Sequence, residues 1–280
     1  MTLSGKVVLL TGGTSGIGKV AARELARREA TVVVVGRDRA RCEQTVAELR
    51  AETGSECVSF LEGDLSAQAE VRRVAAEFLD RYDRLDVLAH NAGAIFGERR
   101  LSADGIEMTF ALNHLAPFLL THLLLDVLKG TSRSRVVNVS SEAHRFGQID
   151  FDDLQGVQRF NPVRAYAQSK LANVMFTYEL ARRVYDAGVT ANALHPGFVA
   201  SRFAGELTGV LGLFFRLSRP FALSPERGAD TLIYLAGSDE VEGVTGKYFV
   251  RRRPRRTAPA TYDPAVVTRL WRVSEEMTGI

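Results

Sequence analysis

Tyr166 and Lys170 lie four residues apart in Tyr166-Ala167-Gln168-Ser169-Lys170, a spacing that puts a phenol and an ammonium on one face of a helix. A phenol of pKa ~10 is a poor acid or base at neutral pH, and a neighbouring cation lowers that value by favouring the phenolate. Carbonyl reduction needs a proton at the developing alkoxide while a hydride reaches the carbon, and such a pair can deliver it. On its own the spacing also describes an ordinary surface pair. Position adds weight, because the upstream run Val136-Val137-Asn138-Val139 ends in Ser140 and Ser141, two hydroxyls at the carboxyl end of a predicted strand. Either serine alone could equally be a turn hydroxyl bonded to nearby backbone.

A second stretch suited to chemistry is Thr11-Gly12-Gly13-Thr14-Ser15-Gly16-Ile17-Gly18, set between a short apolar run and a helical pattern rich in Ala and Leu. Glycines let the backbone turn tightly and approach a pyrophosphate, and a helix N-terminus offers free N–H donors and a favourable dipole. A strand before and a helix after favour a dinucleotide loop over a mere turn.

The spacing of Gly12, Gly16 and Gly18 is GxxxGxG, not GxGxxG. With Tyr166 and Lys170 it resembles the short-chain dehydrogenase/reductase family, over nearly the whole chain. Within that family the likeness is to the retinol dehydrogenase-like and WW-domain oxidoreductase-like branch. It is carried by Asn113-His114-Leu115, by the segments 137–144 and 149–154, by Ser224-Pro225-Glu226 through Gly246-Lys247-Tyr248-Phe249, and by 270–275.

The resemblance implies a tetrad of Asn113, Ser141, Tyr166 and Lys170. Ser141 would hold the substrate oxygen with Ser140 in support, and Tyr166 would transfer the proton. Lys170 would tune it, and Asn113, poorly explained inside an apolar helix, would hold a water linking Lys170 to bulk solvent. Cofactor contacts are implied at Gly12, Thr14, Ser15, Gly16, Ile17 and Gly18, at Asp64 and Leu65 for the adenine, and at the turn Asn91, Ala92 and Gly93. Tyr166 and Lys170 join them, with Pro196, Gly197, Val199 and Ser201, the last standing where the family often has threonine. At the end of the second strand an acidic residue suits the ribose hydroxyls of NAD and a basic one the 2′-phosphate of NADP. Arg37 falls there and favours NADP(H). NAD(H) stays open, since Arg37 could point to solvent while Asp38 caps the next helix.

The elements that must position these groups follow from hydrophobic rhythm. Valine-rich runs at 7–10, 31–35, 58–61, 87–90, 135–139, 190–194 and 248–250 read as strands, several continuous enough to be covered on both faces. Helical patterns occupy 19–28, 41–52, 69–82, 113–128 and 164–185, the last with Leu171, Val174, Met175 and Tyr178 as a buried stripe. This βαβα alternation predicts an α/β fold: a single-domain, Rossmann-type, doubly wound parallel sheet with helices on both faces. Its ligand crevice should lie beyond the carboxyl ends of the strands. One domain over 1–280 is expected, with a substrate lid at about 198–224 and a C-terminal extension at about 251–280.

Composition narrows the function classes. The 280 residues are 46% hydrophobic and 25% charged, ordinary for a folded chain with a sizeable core. A net charge of +3 is matched by one run, Arg251, Arg252, Arg253, Arg255 and Arg256, read as a solvated loop and not as a nucleic-acid surface. Cys42 and Cys57 form no CxxC and no histidine cluster has ligand spacing, so neither a disulfide framework nor a metal site is expected. The first strand follows Met1 too closely for a signal peptide, and no apolar run reaches ~18 residues, so the expectation is a cytoplasmic protein without a membrane anchor. His114, His144 and His195 lie near the motifs but lack the carboxylate and nucleophile of a triad. Apolar residues from Phe198 to Phe215 suit a hydrophobic aldehyde, ketone or alcohol, or else a core or subunit contact. A homodimer or homotetramer would be usual for the family. An NADP-binding redox sensor with little turnover, or reduction of an activated C=C bond, are the competing functions.

Overall fold

The strand segments are buried almost without interruption, as parallel strands covered on both faces must be: Val7–Thr11 (β1) is buried throughout, as are the four central residues of Thr31–Gly36 (β2) and all of Val87–His90 (β4). In the computed structural model, which describes residues 2–199 and 222–280, these join Val58–Glu62 (β3), Arg135–Val139 (β5), Thr190–His195 (β6) and Lys247–Val250 (β7) in one sheet. The order is β3-β2-β1-β4-β5-β6-β7, all parallel, so the winding reverses between β1 and β4. The predicted doubly wound sheet is therefore the observed one, and the crevice at its switch point receives the ends of β1, β4, β5 and β6.

Alternate residues of each strand serve two cores. Val7, Leu9, Val33 and Val35 pack with Phe78, Phe118, Phe176 and Trp271 on one side. Val8, Leu10, Val32 and Val34 pack with Leu25, Leu49, Ile233 and Phe249 on the other. The first face is covered by Gln68–Arg81 (α3), Ala116–Leu123 (α5) and Pro162–Arg183 (α7), the second by Gly16–Arg27 (α1), Arg39–Thr53 (α2) and Pro225–Gly237 (α8). A last helix, Pro264–Thr278 (α9), lays Trp271 against Phe118 and Phe176, and its final carbonyls at Met277 and Thr278 accept from Gln68 and Arg72 of α3.

Two elements differ from the sequence-based expectation. The segment 113–128 is not one helix. A short turn, Met108–Phe110 (α4), leads into a π-helical stretch, Ala111–Leu115, and then into α5 and Leu125–Gly130 (α6). The wider ladder has a local cause: Pro117 has no N–H to give to the carbonyl of Asn113, four residues back. Ala116 instead bonds five residues back, to Ala111. The arginine run is exposed as expected but is not a loop. Arg253–Arg255 (β8) returns antiparallel on β7 through Arg251 and Arg252, both at positive φ, the backbone of a two-residue hairpin turn. Pro254 is tolerated because β8 is the edge strand.

Candidate active site

Helix α7 begins where its caps dictate. Asn161 accepts hydrogen bonds from the N–H groups of Val163 and Arg164, and Pro162 occupies the first helical position. Tyr166 thus falls in the second turn, beside the end of β5, with Lys170 one turn further in. The Lys170 ammonium donates to the Val139 carbonyl at 3.0 Å and lies 5.6 Å from the centre of the Tyr166 ring. Ser140 is buried and donates from its hydroxyl to the Lys170 carbonyl at 2.8 Å, which fixes α7 to β5. Ser141 is hydrogen-bonded to Tyr166. Its oxygen also accepts from the Ala143 N–H at 3.2 Å.

Burial dominates the electrostatics of this corner. It pushes Lys170 down from 10.5 to about 8. It also raises the Tyr166 phenol, against the opposing pull of the Ser141 hydrogen bond. The expected lowering of Tyr166 by Lys170 is therefore not produced by the chain alone. Desolvation of the phenolate outweighs a cation that bonds to a carbonyl instead of the phenol oxygen.

Asn113 sits fully buried in the π-helical stretch. Its side-chain oxygen accepts from the Ala94 N–H at 2.9 Å, and its amide donates to the Ala94 carbonyl at 2.9 Å and to the Ser169 hydroxyl at 3.0 Å. The side chain is thereby committed to protein, so a water would have to be held through the main chain. A Cβ on Gly93 would stand 3.0 Å from the Asn113 side-chain oxygen and 3.4 Å from the Lys170 nitrogen. The glycine is what lets both groups close on the turn after β4. Asn113, Ser141, Tyr166 and Lys170 are thus brought to one corner.

The glycine loop forms the neighbouring wall. A Cβ on Gly18 would lie 2.2 Å from the Gly12 carbonyl oxygen, and one on Gly12, at φ +67°, would lie 2.9 Å from the Ala92 Cα. Neither position admits a side chain. Helix α1 starts at Gly16 with Ser15 making no side-chain cap and no acid in the first turn. Such a start has donors and a positive dipole end to offer an anion. The glycine-lined cradle and the uncapped helix fit a dinucleotide pyrophosphate.

Other expected cofactor positions are arranged around this loop. Asn91 donates to the Thr11 and Gly12 carbonyls at 3.0 Å each, tying the β4 turn to the loop. Ile17 and Val199 meet at Gly228, and Gly197, at φ +92°, precedes a bridge between Val199 and Leu223. Asp64 is exposed at the end of β3, where its carboxylate accepts from Ser66, and Leu65 beside it is buried. Thr14 lies against Gly36. Arg37 is exposed at the end of β2 and makes no ion pair or side-chain hydrogen bond among the described residues, while Asp38 caps α2 at the Arg41 N–H. Ser201 and most of the segment 198–224 lie outside the described residues.

Three supporting residues were not anticipated. Thr11 ends an otherwise aliphatic strand, and its hydroxyl accepts from the N–H groups of Asn91 and Ala92 at 3.0 Å each. Ser169, inside the Tyr-to-Lys spacing, bridges the Tyr166 carbonyl and Asn113. His144 bonds to the Ser141 carbonyl at 2.6 Å. Only Thr11 carried a sequence signal, a lone hydroxyl in an apolar run. His114 pairs with Ser274, and His195 accepts from the N–H of Glu142, the residue after Ser141. No described group of His, Cys, Asp and Glu could hold a metal, and no described helix is long and apolar enough to cross a membrane.

Comparison with known proteins agrees with this geometry. Residues 6–209 match the family model for short chain dehydrogenases. Human retinol dehydrogenase 13 is 43% identical over all of this chain and 86% of its own length, and human retinol dehydrogenase 14 is 42% identical over 99% of this chain and 88% of its own. Among solved structures, a protein of Mycobacterium paratuberculosis superposes with TM-score 0.81 at 33% identity, covering 99% of this chain and 95% of that one. A complex of Pseudomonas aeruginosa RhlG with NADP gives TM-score 0.71 at 28% identity, covering 89% of this chain and 95% of that one.

Proposed function

The chain belongs to the short-chain dehydrogenase family, alongside the retinol dehydrogenases, and from that premise we propose that it interconverts a carbonyl and an alcohol using NADP(H), on a hydrophobic substrate. The observation that carries the proposal is the convergence of Ser141, Tyr166, Lys170 and Asn113 beside a glycine-lined helix start.

A bound nicotinamide supplies or accepts the hydride. Gly12, Thr14, Ser15, Gly16, Ile17 and Gly18 form the phosphate cradle. Asp64, Leu65, Asn91, Ala92, Gly93, Pro196, Gly197 and Val199 complete the cofactor wall, and Ser201, outside the described residues, is the remaining contact that the family resemblance implies. Ser141, whose oxygen accepts from the Ala143 N–H and whose hydroxyl is bonded to Tyr166, would turn that hydroxyl to the substrate oxygen when substrate is bound. Tyr166 gives its proton to that oxygen in reduction and takes it back in oxidation. Lys170 replenishes Tyr166, and the Asn113 carbonyl, without a helical donor at Pro117, takes the water contact that its amide cannot make.

Preference for NADP(H) rests on Arg37, whose guanidinium has no protein partner among the described residues, and on Asp38, whose carboxylate serves as a helix cap. The hydrophobic substrate class rests on the likeness to enzymes named for retinol and on the apolar composition of 198–224. Free thiols at Cys42 and Cys57 suit a reducing cytoplasm. The test is turnover of aldehydes, ketones and polycyclic or isoprenoid alcohols with NADPH and NADH. The reading predicts NADPH-dependent reduction of an apolar carbonyl. Absence of turnover, together with no shift in melting temperature on adding NADPH, would overturn it.

A further inference from the structure

His144 is fully buried, three residues beyond Ser141 in the 3₁₀ turn Glu142–Phe146. Both of its ring nitrogens are engaged. Nδ1 lies 2.6 Å from the Ser141 carbonyl oxygen, and Nε2 lies 3.3 Å from the backbone nitrogen of Ala258. A carbonyl cannot donate, so Nδ1 carries the proton. The Ala258 N–H can only donate, so Nε2 must be bare. The bonding partners thus select one neutral tautomer. The ring packs on Tyr248, whose hydroxyl donates to Glu142 at 3.1 Å.

This arrangement reaches the reacting corner from behind. Ser141 has its hydroxyl oxygen fixed by Ala143 and its carbonyl fixed by His144, while Gly147 closes the turn so tightly on α7 that a Cβ there would meet the Ala167 carbonyl at 2.5 Å. Thr257 and Ala258, which follow β8, supply the far support: Thr257 bonds to Tyr178 of α7, and Ala258 to His144. Ser141 is therefore held by a chain of contacts running from β8 through His144.

We infer that His144 is a positioning residue for the reaction: its Nδ1–H sets the Ser141 hydroxyl against Tyr166, and the Ala258 N–H sets the tautomer that makes this donation. The inference rests on the proposed dehydrogenase function. His144 does not touch substrate or cofactor and exchanges no proton with them.

Two shortened isosteres separate the two bonds. Asparagine places an amide nitrogen where Nδ1 stands and keeps the donor to Ser141. Glutamine reaches the level of Nε2 and keeps only the group facing Ala258. Purified H144A, H144N and H144Q would be compared with the parent for kcat, substrate KM, NADPH affinity and melting temperature. Displacement of a positioned group by ~1 Å is associated with losses of about 100-fold, so H144A and H144Q should lose about 10- to 100-fold in kcat while binding NADPH normally. H144N should recover kcat to within about threefold of the parent, whatever its melting temperature. Recovery by H144Q instead of H144N, equal losses in both, or no loss in H144A would overturn the inference. The parent and Tyr166→Phe are run alongside: no turnover by the parent means that the dehydrogenase reading has failed, and turnover by Tyr166→Phe that the role of Tyr166 has failed, whereas an active parent and an inactive Tyr166→Phe combined with any of those His144 results sink the positioning role alone.

Discussion

The two ends of the site are organised by opposite means. The phosphate end is shaped by atoms that are missing: Gly12 and Gly18 leave no room for a Cβ, and α1 begins without a side-chain cap. The catalytic end is shaped by atoms that are present and paired, with Ser140, Ser141, Asn113, Ser169 and Lys170 each bonded to backbone or to one another. A cradle made of absences binds by shape and dipole. A corner made of buried polar groups carries a desolvation penalty, visible in the lowered Lys170. The first end should therefore lose binding when anything is added, and the second should lose activity, though not stability, when a desolvated charge is removed.

The largest effect expected from that contrast is at Lys170. Lys170→Met should reduce kcat by about 10³-fold while leaving NADPH binding detectable. It should also stabilise the fold. The folded chain releases the Lys170 proton near pH 8 and the unfolded chain near 10.5, a difference of roughly 3 kcal/mol against the folded state at neutral pH. Between those values the unfolded chain holds the extra proton, so stability of the parent rises with pH through that window, and the gap to Lys170→Met narrows. Denaturant unfolding at pH 7 and pH 10 checks the sign; a destabilised Lys170→Met at pH 7 would break the contrast.

At the phosphate end, Gly18→Ala drives a methyl into the Gly12 carbonyl and should weaken NADPH binding by about 1–3 kcal/mol, read by fluorescence titration. If Arg37 holds the 2′-phosphate as proposed, Arg37→Ser loses one charge-assisted contact and should weaken NADPH by about 1.5 kcal/mol without changing NADH. Equal loss for both cofactors would remove Arg37 from the discrimination. Gly93 sharpens the comparison because it obeys the rule of absence inside the catalytic end. Gly93→Ala presses on Asn113 and Lys170 at 3.0 and 3.4 Å, and should lower kcat by about tenfold, an effect of about 1.4 kcal/mol, with less change in cofactor affinity. An effect confined to binding would place Gly93 with the phosphate loop.

Legibility in the sequence followed the same division. Glycines between a valine-rich strand and an alanine-rich helix advertise a cradle, because few other residues can occupy it. The strand runs are nearly as plain, since burial on both faces leaves mostly Val, Leu and Ala, with a few buried exceptions such as Thr11, His90 and Asn138. Tyr166 and Lys170 stood out through their spacing only together with the serines that end the preceding strand, and Asn113 through the family resemblance and its oddity in an apolar helix. What holds them was not. The π-helical stretch depends on Pro117 meeting a carbonyl four residues earlier, and the 3₁₀ turn after Ser141 depends on a backbone N–H from Ala258, more than a hundred residues away in sequence. The β8 hairpin was hidden because Arg251 and Arg252 take the positive φ that usually calls for Asn or Gly. Periodicity sees faces and caps; it does not see which distant backbone group a buried ring will find.

The proposed reaction depends most on Tyr166 as the group that moves the proton. The direct measurement is single-turnover oxidation of NADPH by a saturating carbonyl substrate, in the parent and in Tyr166→Phe, with NADPH affinity measured on both proteins. Proton transfer by Tyr166 predicts unchanged affinity and a rate lower by about 10²–10⁴-fold in Tyr166→Phe. A variant that binds NADPH and turns over at the parental rate would contradict it.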